Sequence, residues 1–162
     1  MRLHLMRHAY AGPALSDPKA ERDRPLLPEG IATATAIAKA MKANGEIPNV
    51  IFSSPFQRTI QTADIVGKAL GVQVNVIGEF APMRPLEDGI IGLMSHGEQS
   101  RIMCLVHVDN SSPAMINLGG DVDWDDLVMA EVRRVKIDRK TGAWKLKWGC
   151  KPSDLGLRDR TS

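Results

Sequence analysis

The feature that most constrains this chain is an alternation, in which short runs rich in branched apolar residues are separated by segments whose apolar residues recur every three to four positions. Leu3 to Met6, Val50 to Phe52, Val72 to Ile77 and the Ile-Met-Cys-Leu-Val run within Arg101 to Val108 read as short strands. Between the first two, Ile31, Ala34, Ala38 and Met41 form one apolar face of a helix over Pro28 to Lys42, with Pro28 suited to its first turn and Asn44-Gly45 to its stop. A second helix is predicted to start at Pro55, with Ser54 as N-cap and Gln57 as the capping-box partner. Its apolar face carries Ile60, Ile65, Val66, Ala69 and Leu70, and Gly71 is placed to end it in a left-handed conformation. Strands alternating with helices predict an α/β fold, a three-layer α/β/α sandwich around a mainly parallel sheet.

The rest of the chain is less regular. The Ala-Gly-Pro and Asp17-Pro18 punctuation after His8 predicts a loop to about Arg24. Pro82 and Pro85 loosen the pattern before a weak helical stretch from Leu86 to Met94, which ends near Ser95-His96-Gly97, and Ser112 to Leu118 reads as one short helix. Glu131 to Ile137 and Ala143 to Trp148 pair as a C-terminal antiparallel hairpin across residues 138–142. The 162 residues suffice for one domain, placed at 1–150, followed by a polar, frayed tail over 151–162.

Charge and composition remove several function classes. Twenty-one basic and nineteen acidic residues nearly balance, and no stripe of Lys and Arg is interleaved with aromatics, so nucleic acid is not the expected partner. No apolar run is long enough to span a bilayer and the first residues lack a secretory pattern, so no membrane association and a cytoplasmic location are expected. Cys104 and Cys150 lack neighbours at metal-ligand spacing and read as reduced structural thiols. Asp121, Asp123, Asp125 and Asp126 lack the Gly and terminal Glu of a calcium loop and read as a solvated acidic loop. His4 is assigned to the sheet surface, His96 to a solvated loop, and Trp124, Trp144 and Trp148 to packing under the hairpin.

Chemistry gathers at strand ends. In open α/β sheets the ligand crevice lies beyond the carboxyl ends of the strands, where residues distant in sequence converge. Three such ends carry Arg7-His8, Ser53-Ser54 with Arg58, and His107. Two guanidiniums, two imidazoles and the free amides of the helix starting at Pro55 make a cationic site suited to a phosphoryl dianion. A metal site would add a carboxylate or thiolate, and Arg7 and Arg58 would repel a dication, so no metal and no cofactor are expected.

These residues also carry a family resemblance. Leu5-Met6-Arg7-His8-Ala9 resembles the Arg-His-Gly signature of the histidine phosphatase superfamily, which has the phosphoglycerate mutase-like fold. Arg24-Pro25-Leu26-Leu27 with Gly30, and the block from Ser53 to Ala63, resemble the superfamily's further blocks in order and spacing. The length, the Arg-Pro-Leu segment and Lys151-Pro152-Ser153-Asp154-Leu155 are similar to the small single-domain branch that includes bacterial phosphohistidine phosphatases. The resemblance implies that His8 is the nucleophile and becomes a covalent phosphohistidine, while Arg7, Arg58 and His107, with Ser54, complete the phosphate pocket. It places the general acid at Glu79, with Asp109, two residues past His107, as the alternative. The chain departs from the signature at Ala9, where Gly is usual and where a positive φ would bring strain, and at Val106, where many relatives have Gly before the second His.

The implied activity is hydrolysis of phosphomonoesters or protein phosphohistidine, the substrate being a phosphorylated protein or a small phosphoester. Relatives that act on sugars or phosphoglycerates often carry long insertions that close over the ligand, and this chain has little spare length for one, so an open pocket is expected. A non-catalytic phosphate-binding module of the same fold is the alternative of a different class. A phosphoglycerate mutase-type phosphotransferase is disfavoured by the missing lid.

Overall fold

Alternating burial makes β1 (Arg2–Arg7) a central strand, because Leu3 and Leu5 enter one apolar cluster and Met6 the other. The same alternation runs through β4 (Arg101–Val106), with Ile102, Cys104 and Val106 on one face and Met103 and Leu105 on the other. In the computed structural model, which describes residues 1–82, 84, 88–91, 100–107, 115 and 124–161, these strands pair in parallel at the middle of a six-stranded sheet. With β2 (Val50–Ser53), β3 (Val74–Val76), β5 (Val132–Ile137) and β6 (Trp144–Cys150), the order is β3-β2-β4-β1-β5-β6. The first four strands run parallel, and β5 and β6 form the expected antiparallel hairpin at one edge.

The two long helices cover one face. Helix α2 (Pro28–Ala43) buries Gly30, Ala34, Ile37, Ala38 and Met41, so Gly30 rather than the expected Ile31 meets the core, and Ile31 is exposed. Helix α3 (Gln57–Leu70) buries Ala63, Val66, Gly67 and Leu70 in its later turns but Arg58, Thr59 and Thr62 in its first, and Gly71 ends it at φ 71° as expected. On the other face Phe80, Ile90, Met115, Trp124, Leu127 and Trp144 pack against the sheet. Of the two helices expected after residue 82, residues 88–91 and Met115 are helical, and the remainder lies outside the described residues.

Four local expectations need correction. The loop after His8 contains a short helix, α1 (Pro18–Asp23), whose Asp17 cap accepts from the Ala20 N–H at 2.7 Å. It escapes periodicity because it buries no residue. Helix α3 starts at Gln57 after Phe56, not at Pro55: Phe56 O takes the Thr59 and Ile60 N–H groups, while the Ser54 hydroxyl meets His107 and the Phe56 N–H ahead of the first turn. His4 is not at the surface: it is buried, with Nε2 2.9 Å from the Glu46 carboxylate. The tail is not frayed, since Pro152–Leu155 form a 3₁₀ turn and the Met129 N–H donates to Arg160 O at 2.8 Å. Arg160 also holds Glu29 through Nε and Nη2 and lies over the Tyr10 ring.

The three Trp residues pack against the sheet as expected, on both of its faces. Trp124 and Trp144 meet edge to face at 5.2 Å, whereas Trp148 packs with the α2 and α3 side. The cause is a bulge: Trp148 pairs with Arg134 and Leu146 with Val135, leaving Lys147 as an extra residue that reverses the alternation.

Candidate phosphoryl-binding site

Parallel neighbours bring the strand ends together. Arg7 is in register with Val106, and Ser53 with Leu105, so His8, Ser54 and His107 follow at one edge of the sheet where α3 begins. Arg7, His8, Arg58 and His107 are all buried, each 5% exposed or less.

One guanidinium organises both imidazoles. Arg58 Nε donates to His8 Nε2 at 3.3 Å, and its Nη2 lies 3.4 Å from His107 Nδ1. A guanidinium has no acceptor, so both ring nitrogens present lone pairs to it. The opposite nitrogens carry the protons: His8 Nδ1 donates to Ala9 O at 2.9 Å, and His107 Nε2 donates to the Ser54 hydroxyl at 2.9 Å. Ring centroids of His8 and His107 are 5.3 Å apart, and Phe56 meets His107 edge to face while its own face lies under the Arg58 guanidinium.

The electrostatics keep both rings neutral. Burial lowers His8 to about 3, with Arg58, Arg7 and Arg24 acting the same way. Burial also lowers His107 to about 2, reinforced by His8 and the same three arginines. At neutral pH the site therefore offers an unprotonated His8 Nε2 beside two fixed cations, an arrangement able to bind an oxyanion and attack its central atom.

Backbone contacts fix these groups. Arg7 donates from Nη1 to Leu127 O at 2.9 Å and from Nη2 to Thr161 O at 2.7 Å, so the segment before β5 and the tail both hold it. Ala130 adopts φ 63°, and its N–H is 3.2 Å from both Arg7 O and His8 O. Ala9, in contrast, is not left-handed, so the strain its departure from Gly suggested does not arise. Its N–H donates to Thr62 Oγ1, which in turn donates to Arg58 O at 2.7 Å.

Sequence reasoning missed Glu21. From α1 its main-chain oxygen accepts from Arg58 Nη1 at 3.0 Å, and its carboxylate lies 3.1 Å from the same nitrogen. That carboxylate also takes both Nε and Nη2 of Arg24 at 2.8 Å, while Arg24 Nη1 donates to Gly12 O. Mainly through the Arg24 hydrogen bond, Glu21 is held below the usual carboxylate range. The only signal in the sequence was the Glu21–Arg24 spacing, one helical turn.

Glu79 follows a neighbouring strand end, where the Ile77 N–H donates to Ser53 O at 3.0 Å. It sits in the 3₁₀ turn Gly78–Phe80 after β3, exposed, with no hydrogen bond to the four buried side chains. Asp109, His96, Asp121 and Asp123 lie outside the described residues, and Asp125 pairs with Arg133 at 2.7 Å. Among the described residues no cluster of His, Cys, Asp and Glu forms a metal site. Cys104 and Cys150 are free and buried, with both thiols pushed up by burial. No helix of the described residues is long and apolar enough to cross a membrane.

Comparison with known proteins bears on this geometry. Residues 3–84 match the family model of the histidine phosphatase superfamily, branch 1. Among solved structures, the protein histidine phosphatase SixA complexed with tungstate superposes with TM-score 0.82 at 21% identity, covering 96% of this chain and 99% of that one. A putative phosphohistidine phosphatase SixA from Agrobacterium tumefaciens gives 0.77 at 21% identity, with coverage of 93% and 98%. A mycobacterial glucosyl-3-phosphoglycerate phosphatase gives 0.71 at 14% identity, with coverage of 90% and 96%. No curated protein matches the chain in sequence.

Proposed function

The chain belongs to the histidine phosphatase superfamily, and from that premise we propose that it is a metal-independent phosphatase working through a phosphohistidine at His8. The observation that carries this reading is the His8 tautomer: Nδ1 is tied to Ala9 O, so Nε2 holds the lone pair inside a cationic pocket.

In the first step His8 Nε2 attacks phosphorus in line. A P–N bond forms, the P–O or P–N bond to the leaving group breaks, and Arg7, Arg58 and His107 offset the charge on the equatorial oxygens. Arg58 faces the two rings with its Nε and Nη2 edge, the pair of donors that a phosphate accepts side-on, while Glu21 holds Nη1. Water then attacks the phosphohistidine and releases phosphate, restoring neutral His8. As found, His107 directs a lone pair at Arg58, so it must take up a proton at Nδ1 to donate to a bound dianion.

The leaving group decides how much acid is needed. Glu79 is the proposed acid for alkyl phosphoesters and Asp109 the alternative; Glu79 is exposed and makes no hydrogen bond to the buried four. A phosphorylated imidazole leaves readily once protonated and depends least on such a group, which supports a phosphohistidine protein as the substrate. The likeness to SixA structures points the same way. The altered sequence before His107, with Val106 where many relatives have Gly, motivates the second reading, a phosphate-binding module without turnover.

The test is p-nitrophenyl phosphate hydrolysis in EDTA by wild type and His8→Ala, with a phosphohistidine protein as second substrate. Wild type should turn over and His8→Ala should lose activity by about 10³-fold or more. Equal rates in the two proteins would sink the nucleophile assignment. Vanadate binding without turnover of either substrate would favour the binding module.

A further inference from the structure

At the amino-terminal ends of the strands, the opposite end of the sheet from the two histidines, lies a cavity of about 630 Å³. Its lining includes Arg2, Ser100, Arg101, Arg134, Lys136 and Lys147, and among the described residues no carboxylate. Cross-strand register explains the concentration of charge. Arg2 sits directly opposite Arg101 on β4 and Lys136 on β5, and Lys136 opposite Lys145 on β6, which makes one row of four cations across four adjacent strands. Neighbouring strands are only about 4.8 Å apart, and like charges directly opposite destabilise a sheet.

The row is not an accident of one face. Met6, Met103, Leu105 and Val132 place the α2 side of β1, β4 and β5, and alternation puts Arg2, Arg101, Arg134 and Lys136 on that same side. The β6 bulge adds Lys147, which regular alternation would not leave beside Trp148 on one face. Arg134 is answered by a carboxylate, its Nε lying 2.8 Å from Glu46, which His4 shares. Among the described residues Arg2, Lys136 and Lys147 form no ion pair, although the whole chain carries a formal charge of only +2.

We propose that this cavity binds a compact polyanion carrying at least two linked phosphate groups, a site separate from the histidine pocket. Several cations gathered in one concavity, three of them without an ion pair among the described residues, match a ligand of several negative charges better than a single phosphate. Among the described residues its lining has no aromatic on which bases could stack, which argues against a nucleic-acid strand. Five residue rises of β1 separate Arg2 from Arg7, about 17 Å, so one small ligand does not bridge the two sites. The inference rests on none of the catalytic assignments.

Inorganic tripolyphosphate, titrated calorimetrically at low salt, is the probe, with ATP as a second arm. Wild type and Arg58→Ala should both bind it, and Lys136→Glu/Lys147→Glu should bind at least about tenfold more weakly. That variant should hydrolyse p-nitrophenyl phosphate at the wild-type rate, which also reports an intact fold, and Lys147→Ala at the exposed bulge supplies a milder check. Tighter binding of ATP would identify a nucleotide, and equal binding a phosphate chain alone. Loss of binding in Arg58→Ala with retention in the lysine variant would assign the polyanion to the histidine pocket and overturn the proposal. So would no binding by wild type, or tighter binding of a single-stranded oligonucleotide.

Discussion

His8 and His107 depend on the same guanidinium, so the orientation of Arg58 sets both lone pairs at once. Its Nε and Nη2 edge is turned to the rings and its Nη1 edge to Glu21, which fixes the plane without occupying the donors a phosphate would use. Glu21 is accordingly a positioning residue. Glu21→Gln keeps the size and removes the charge, and the expected result is a kcat about tenfold lower with KM little changed, because misplacement of a preorganised donor is felt in the transition state. Steady-state kinetics on p-nitrophenyl phosphate, with Glu21→Asp as the conservative variant expected to recover part of the rate, checks this. A lower KM at unchanged kcat would mean that the carboxylate merely repels the anion. Beyond its spacing from Arg24, Glu21 left no mark in the sequence because its helix has no apolar stripe; tertiary hydrogen bonds and the Asp17 cap hold it instead. Arg7, His8, Arg58 and His107 were legible because each stands at the end of an apolar run or the start of a helix, where topology forces convergence.

At the scale of elements, the approach of α2 to the residues after His8 is set by one glycine. A Cβ on Gly30 would lie 2.1 Å from Tyr10 O and 2.9 Å from Tyr10 N, and both are backbone atoms with no rotamer to yield. The Leu27 N–H donates to that same oxygen at 3.0 Å, and Ala9 O, one residue earlier, fixes the His8 tautomer. Gly30→Ala should therefore cost about 1–3 kcal/mol and lower the thermal midpoint by several degrees. It should also slow turnover, because the displaced backbone carries the His8 acceptor. A calorimetric midpoint equal to wild type would show that the helix shifts without strain. Strands and long helices were read correctly where burial dictates the pattern. The start of α3 was misread because Ser-Pro-x-Gln has the chemistry of a cap, but the first helical N–H groups bond to Phe56 O, two residues later. The tail was misread because its anchors, Arg160 on Glu29 and Thr161 O on Arg7, are polar contacts across the whole chain that no local pattern records.

For the whole molecule, burying three imidazoles makes stability depend on acid. His4, His8 and His107 are all lowered from the ordinary histidine value, first by burial. As pH falls below about 6.5 the unfolded chain takes up protons at these positions while the folded chain does not, so folding stability decreases. The loss continues until the folded values are reached, at about 3 for His8 and about 2 for His107. Each imidazole contributes about 1 kcal/mol per pH unit below pH 6, and Glu21, whose carboxyl is also lowered, adds a loss of the same sign at lower pH. Urea unfolding between pH 7 and pH 5 should show the midpoint dropping steadily. Saturating vanadate should flatten that slope, because a bound dianion allows His8 and His107 to be protonated in the folded state. The double variant His8→Ala/His107→Ala should retain only the part due to His4. A slope as steep in that variant as in wild type would place the proton uptake outside the site and remove the case that both rings are held neutral by burial.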